Sequence, residues 1–308
     1  MGFTKSRLQL GLIGYPLNHS LSPQIHQAAL ESLGIEGCYR LYPVLPLPYG
    51  RPDLEALLEQ LRRGQIDGLN VTIPHKQSVL AYLDGLTDAA GAIGAANTLY
   101  MKGGRLIGDN TDADGFWADL RARLARWEGE RWALILGAGG AARAVVYALL
   151  GKGWKVAIAA RRTEQSLSLA EHFRRLMGDR LDIAGDKPSN APCLEVVPFT
   201  GEGISDFLAQ TAARDNVLIV NATPVGMDAA LDDNPLPENL PLPGGAFVYD
   251  LIYRPAETAL MRSARAQGLP ACNGLGMLVE QAALAFERWT GKPAPRKAMT
   301  AAVSDQPD

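Results

Sequence analysis

The sequence predicts an α/β protein of two domains, and three observations carry that prediction. At 308 residues the chain is long enough for two separate cores. Apolar runs of strand length alternate with helical patterns along it. One of those runs, Trp132 to Leu136, breaks into a glycine-rich turn and resumes as a helical pattern through Leu150.

That turn, Gly137-Ala138-Gly139-Gly140-Ala141, has the spacing of a dinucleotide-binding strand–turn–helix, with Ala142 in the last small-residue position. Gly137 lets the chain turn sharply, and Gly139 removes a side chain where a pyrophosphate would approach the backbone. Ala142 allows the helix to pack close on the strand, and the helix start presents free N–H groups and its positive dipole end to phosphate. Gly151 and Gly153 end the helix, and Trp154 to Ala159 reads as the second parallel strand. Folds that prefer NAD place a carboxylate about 20 residues after the glycines, on the ribose hydroxyl. Here Ala160-Arg161-Arg162-Thr163 stands at that strand's end, and guanidinium groups suit a 2′-phosphate. The expectation is a Rossmann-type domain that binds NADP.

The composition is that of an ordinary globular protein, 47% hydrophobic and 20% charged. A net charge of −3 gives no basic footprint for nucleic acid. Cys38, Cys193 and Cys272 are an odd number without a C-x-x-C, which argues against a disulfide framework or thiolate zinc site and for a reducing cytoplasm. No apolar run reaches the ~18–20 residues of a membrane span. Lys5 and Arg7 precede Leu8–Ile13, but that segment is too short and too polar for a signal peptide and reads as a first strand.

In chain order, the first strand leads to Asn18-His-Ser20-Leu-Ser22-Pro23, where Ser22 is expected to cap a helix with proline at its first position. That leaves Ser20 either to bind a carboxylate or polyol or to satisfy its own turn. Cys38 to Val44 reads as a strand and Asp53 to Arg63 as an amphipathic helix. Gly68 to Pro74, containing Asn70 and Thr72, reads as an alternating strand. Lys76 then opens a helix, where a cation is opposed by the dipole. Asp84 to Ala90 is a short loop and helix; Gly94-Ala-Ala-Asn97-Thr98 opens another strand. Asp109, Asp112 and Asp114 lack the other ligands of a calcium loop, but one of them beside Lys76 would make a pair suited to proton transfer. The first ~115 residues thus form one α/β domain. A connecting helix is expected over Phe116–Glu128. Beyond the nucleotide-binding turn come a helix over Thr163–Met177, a polar surface excursion over 178–192, and strands at Leu194–Pro198, Val217–Asn221 and Ala246–Asp250. The loops around Leu231–Pro243 are proline-rich. Helices are expected at Ala256–Gln267 and Leu278–Trp289, with one short helix near Met299 in a polar tail.

His19, His26, His75 and His172 show no metal-ligand spacing, and no nucleophile elbow or phosphate-loop motif occurs. Hydride transfer with a protein-supplied proton is the chemistry that remains.

Taken together in their order, these motifs resemble the shikimate dehydrogenase family over roughly residues 8 to 300. They include Asn70-Val-Thr72-Ile-Pro74-His-Lys76, Asp109-Asn-Thr-Asp112, Asn221-Ala-Thr223, Tyr249-Asp-Leu-Ile-Tyr253 and Asn273-Gly-Leu-Gly-Met-Leu-Val-Glu-Gln281. The resemblance implies an N-terminal substrate domain (1–115 plus 275–308) and a Rossmann-type NADP-binding domain (116–274) flanking a cleft, with substrate in the cleft facing the nicotinamide. It implies reversible NADPH-dependent reduction of 3-dehydroshikimate to shikimate in aromatic amino-acid biosynthesis, by a cytoplasmic monomer or homodimer that contacts neither nucleic acid nor membrane. Lys76 and Asp112 would be the catalytic pair, and Ser20 and Ser22 would bind the substrate carboxylate. Thr72, Asn97 and Gln281 would bind its hydroxyls, with Asn70 and Tyr253 lining the site. The cofactor would fall to Gly137, Ala138, Gly139, Gly140, Ala141, Arg161, Arg162, Thr163, Asn221, Thr223, Gly274 and Met277.

The family's Asn-Arg-Thr-x-x-Arg appears here as Ala160-Arg161-Arg162-Thr163, with Ser166 where a further arginine often stands. The pair Ser20 and Ser22 looks like the shikimate-selective form. The alternatives are a quinate/shikimate dehydrogenase using NAD and a catalytically inactive NADPH-binding regulator, against which the retained Lys76 and Asp112 argue. A folate-processing dehydrogenase would leave Ser20 and Ser22 without a purpose.

Overall fold

In a computed structural model, residues 7–124, 127, 129–182, 191–211, 216–227, 232–237 and 240–304 are described. Outside the described residues lie 183–190 of the expected excursion, 125, 126 and 128 of the expected connecting helix, 305–308 of the tail, Lys5 and Leu231. The chain divides into two compact units, Met1–Phe116 with Leu278–Pro307, and Trp117–Met277. Among the described residues, no helix is long and apolar enough to cross a membrane.

The first unit opens with β1 (Leu8–Gly14), α1 (Ser22–Ser32), β2 (Gly37–Pro43), α2 (Arg51–Arg62), β3 (Gly68–Val71) and α3 (His75–Ser78). It continues through β4 (Gly85–Leu86), α4 (Asp88–Ile93), β5 (Thr98–Lys102) and β6 (Arg105–Asp109) to α5 (Asp112–Arg123), within which the chain leaves the unit. The sheet order is β2-β1-β3-β5-β6-β4. β1 runs parallel to both neighbours, while β5 is antiparallel to β3 and β6. All of β3 is buried, so the expected alternation is replaced by the fully covered pattern of a central strand with material on both faces. α2 places Leu54, Leu57, Leu58 and Leu61 inward. That is one stripe of a helix, and it packs with Ile13, Leu69 and Leu99 into a single core.

The second unit holds β7 (Trp132–Leu136), α6 (Gly140–Leu150), β8 (Lys155–Ala159), α7 (Thr163–Met177), β9 (Cys193–Val196), α8 (Gly201–Thr211), β10 (Val217–Asn221), β11 (Ala246–Asp250), α9 (Ala259–Ala266) and β12 (Ala271–Cys272). Its sheet order is β12-β11-β10-β7-β8-β9, every pair parallel. Read from β9, this is the doubly wound order 3-2-1-4-5-6, with the reversal of direction between β7 and β10. Chain return to the first unit falls within α10 (Leu275–Thr290), and α11 (Arg296–Ser304) then packs on α1 with Met299 and Val303 buried.

Several helices differ from expectation. α5 begins at Asp112, not Phe116, and carries Asp112 and Asp114 in its first turn, where carboxylates suit the dipole. α8 is an unanticipated helix; Gly201 and Gly203 at its start hid the stripe of Ile204, Phe207, Leu208 and Thr211. α9 starts at Ala259, not Ala256, because the Thr258 hydroxyl caps it by accepting the Met261 N–H. At α1, Ser22 is the first helical residue and not the cap. The hydroxyl that serves the helix start is instead Ser20 Oγ, which accepts the Ser22 N–H at 3.3 Å.

Candidate active site

Sheet direction gathers the first unit's polar side chains. β1, β3 and β6 end at one edge, and because β5 is antiparallel its start lies there too: Asn70 pairs with Thr98, and Thr98 with Asp109. Tyr15 N–H to Ile73 O and Thr72 N–H to Ile13 O tie the ends of β1 and β3 together. Segments carrying Ser20, Thr72, Lys76, Asn97 and Asp112 all depart from this edge.

Lys76 donates to Asp112 Oδ2 at 2.6 Å. The α3 helix that carries it has only four residues, so the expected opposition from a helix dipole is small and Asp112 balances the charge. Asp112 Oδ1 accepts from Asn97 Nδ2 at 2.9 Å. Asn97 also donates to Thr111 Oγ1 at 2.9 Å and Gln281 Oε1 at 3.2 Å, while its own Oδ1 accepts from the Thr111 N–H at 2.8 Å. Gln281 is anchored by donating to Leu278 O at 2.8 Å. Lys76, Asn97, Asp112 and Gln281, expected from four separate motifs, form one network.

The remaining substrate-site residues divide. Thr72 is half-buried beside Gly14, and Ser22 is buried at the start of α1. Asn70 is more committed than a lining residue. Its amide accepts from Tyr39 Oη at 2.8 Å and donates to Asn97 O at 3.0 Å and Thr98 Oγ1 at 3.2 Å. Tyr253 is half-buried in the second unit, shortly after β11.

The second unit's glycine turn tests the fit of a dinucleotide. Gly137 has φ +110°, and a Cβ there would lie 2.9 Å from Ala222 O, so only glycine suits the position. Gly139, in extended conformation, precedes α6 without any side-chain cap, is exposed, and would have nothing within 4 Å of a Cβ. The first N–H groups of α6, from Gly140 and Ala141, thus face an open approach. Arg161 and Arg162 are exposed just past β8, and Thr163 opens α7. The arrangement fits NADP: a bare helix start for the pyrophosphate and two guanidinium groups for a 2′-phosphate. Ser166, in the expected arginine position, is buried with no partner for its hydroxyl among the described residues.

Asn221 and Thr223 lie across the reversal point from the turn, since Leu136 pairs with Asn221. The Asn221 side chain is spent internally. It donates to Asp250 Oδ1 at 3.0 Å and Val225 O at 3.1 Å, and accepts from Thr223 Oγ1 at 2.7 Å. Its contribution is to shape the loop. Gly274 permits the chain to pass against the Leu251 carbonyl, and Met277 is buried in the first turn of α10.

Sequence reasoning missed Tyr39, His26, Thr98 and Thr111, which hold the network from behind. Thr98 and Thr111 stand beside motif residues and so were within reach. Tyr39 and His26 lie on β2 and α1 with only the burial pattern to mark them.

A doubly wound unit with an open glycine turn at a helix start, joined to one presenting a lysine–carboxylate pair among buried hydroxyl and amide groups, has the make-up of a dinucleotide-dependent dehydrogenase. Comparison with known proteins narrows the class. Residues 12–99 match the model of the shikimate dehydrogenase substrate binding domain, and 274–303 that of the shikimate 5′-dehydrogenase C-terminal domain. The shikimate dehydrogenase (NADP(+)) of Symbiobacterium thermophilum is 40% identical over 97% of this chain and 95% of its own. The Thermus thermophilus shikimate 5-dehydrogenase, solved with NADP(H) and shikimate, is 38% identical with TM-score 0.76, covering 96% of this chain and 98% of that one. Quinate dehydrogenase from Corynebacterium glutamicum, solved with NAD, is 32% identical with TM-score 0.80, covering 97% and 99%. The chain belongs to the shikimate dehydrogenase family.

Proposed function

We propose that the protein is an NADP-dependent shikimate dehydrogenase, reducing 3-dehydroshikimate reversibly to shikimate in aromatic amino-acid biosynthesis. The observation that carries the chemistry is the Lys76–Asp112 contact at 2.6 Å, within a buried set of amide and hydroxyl groups. When bound, the dinucleotide supplies hydride from its nicotinamide ring. Lys76 has two ammonium protons beyond the one given to Asp112, so it can donate to the carbonyl oxygen under reduction, offset the charge that develops there and hand over a proton. Asp112 orients Lys76 and accepts from the neighbouring substrate hydroxyl. Asn97, Gln281 and Thr72 bind hydroxyls, Ser20 and Ser22 bind the carboxylate, and Asn70 and Tyr253 frame the site.

Gly137, Ala138, Gly139, Gly140 and Ala141 would cradle the pyrophosphate, Arg161, Arg162 and Thr163 the 2′-phosphate, with Asn221, Thr223, Gly274 and Met277 completing the cofactor site. We assign 1–115 plus 275–308 to substrate and 116–274 to the dinucleotide. The three free thiols support a reducing, cytoplasmic setting. Absorbance at 340 nm with shikimate and NADP⁺, run beside quinate and NAD⁺, tests the reading. It fails if shikimate with NADP⁺ gives no turnover, or if quinate with NAD⁺ is the faster combination.

A further inference from the structure

We propose that Tyr39 is a positioning residue for the Lys76–Asp112 pair, acting through a one-directional chain of hydrogen bonds across the substrate unit. The proposal rests on the reading of those two residues as the catalytic pair.

The direction of the chain is fixed by its ends. Asp112, as a carboxylate, only accepts, so Asn97 must turn its Nδ2 toward Asp112 Oδ1, at 2.9 Å. That leaves Asn97 Oδ1 to accept from the Thr111 N–H at 2.8 Å and from the Thr98 hydroxyl at 3.0 Å. Having donated, Thr98 Oγ1 accepts from Asn70 Nδ2 at 3.2 Å. Asn70 Nδ2 also meets the Asn97 carbonyl oxygen, a pure acceptor, at 3.0 Å, so Asn70 Oδ1 must face Tyr39. Tyr39 therefore donates, at 2.8 Å. Donors run head to tail from Tyr39 through Asn70, Thr98 and Asn97 to the carboxylate that holds Lys76.

Every link is buried: Tyr39, Asn70, Asn97, Thr98 and Asp112 are each at most 7% exposed. In such surroundings hydrogen bonds of one polarity strengthen each other, and a broken link leaves an unpaired polar group that water cannot reach. The phenol itself is held in place. Its ring stacks flat on His26, with centroids 4.3 Å apart and planes 3° from parallel, and His26 is packed on its other sides by Phe286 and Trp289. Trp289 in turn closes on Gly68, where any side chain would collide with the indole, and donates to Leu99 O at 3.1 Å. Tyr39 is thus a rigid origin for the chain and is itself outside the substrate set.

The test uses full-length protein carrying Tyr39→Phe, which removes one hydroxyl and keeps the ring, Thr98→Val, and both together. Steady-state kinetics with shikimate and NADP⁺ are measured across pH. Separately, the rate at which acetic anhydride acylates the Lys76 amine is followed by peptide mass spectrometry, a readout independent of turnover. Tyr39→Phe is expected to lower kcat roughly two- to tenfold with KM for shikimate unchanged, to displace the pH profile of kcat, and to speed Lys76 acylation by a similar factor, the effect of one buried hydrogen bond. The double variant should be no slower than Thr98→Val alone, since the chain is already cut there. Wild-type values of both kcat and Lys76 acylation in Tyr39→Phe would overturn the proposal, as would effects that multiply in full in the double variant. Should the wild-type protein not oxidise shikimate, the functional reading falls, and the acylation rates still decide the positioning role.

Discussion

Lys76 and Asp112 share a 2.6 Å contact but not an environment: the lysine side chain is 15% exposed and the carboxylate 4%. The buried carboxylate is the fixed member, held from the other side by Asn97, and the lysine is the one that can meet an incoming oxygen. Lys76→Ala should therefore lower kcat by roughly 10²–10⁴-fold, the range for losing an acid–base group, with little change in KM for shikimate. Asp112→Asn should be at least as damaging, because an amide offers one acceptor to the two donors of Lys76 and Asn97. Wild-type turnover in Lys76→Ala would remove the lysine from the chemistry.

Cofactor choice follows from the end of β8. Arg161 and Arg162 are exposed and no carboxylate stands at the strand's end. Replacing both with alanine should raise KM for NADP⁺ by about 10- to 100-fold, the effect of losing charge-assisted hydrogen bonds, and leave KM for NAD⁺ nearly unchanged. Equal losses for both cofactors would mean that these arginines do not read the 2′-phosphate.

Two buried groups give stability opposing pH dependences. Burial drives the His26 imidazole down to about 3 from its ordinary 6.5, with a weaker opposing influence from Asn70. The unfolded chain then takes up a proton that the fold refuses, so stability present above pH 6.5 is lost progressively toward pH 3. Asp250 works in reverse. Burial lifts its carboxyl to about 6 from 3.8, although Ile252, Thr258 and Asn221 donate to it. Its penalty at neutral pH is relieved as pH falls through 6 toward 4. The histidine shift is the larger, so the pair together should favour acid unfolding. His26→Phe, keeping the ring stack, should flatten the fall in Tm between about pH 7 and 5, and Asp250→Asn should steepen it. Calorimetry across that range decides; slopes matching wild type in both variants would refute the assignment.

How far the sequence could be read follows from the same residues. Strands ending in glycine turns, such as Trp132–Leu136, were legible because periodicity and turn chemistry agree there. The pairing of Lys76 with Asp112 was legible from motif order but not from spacing, since it depends on β5 running antiparallel and on α5 starting at Asp112. Helix starts were the weak point: Ser22 looks like a cap in isolation, yet the accepting hydroxyl is Ser20. Asn70 and Asn221 stand out in the sequence as unusual polar residues at strand ends. Their partners Tyr39 and Asp250 lie on other strands, 31 and 29 residues away in sequence, and no local pattern shows that such an amide is already spent.

Gly276 stands in the first turn of α10. A Cβ there would be driven into the Asp119 carboxylate. That carboxylate has nowhere to go: Tyr249 donates to it at 2.6 Å, and Arg123 grips it through two nitrogens at 3.0 Å each. Tyr249 remains a neutral donor, since burial and the Asp119 charge both push its hydroxyl well above its ordinary range. Gly276→Ala must therefore either break this cluster, at a cost of about 1–3 kcal/mol, or shift the helix start that carries Met277 and follows Gly274. Tm should fall and KM for NADP⁺ should rise. Asp119→Ala on its own also lowers stability, by removing the carboxylate to which Tyr249 and Arg123 donate, but it empties the space the new methyl needs. In the double variant Gly276→Ala should then cost almost nothing beyond Asp119→Ala, measured as Tm and as KM for NADP⁺. If the two losses instead add, the glycine is not there to make room for Asp119.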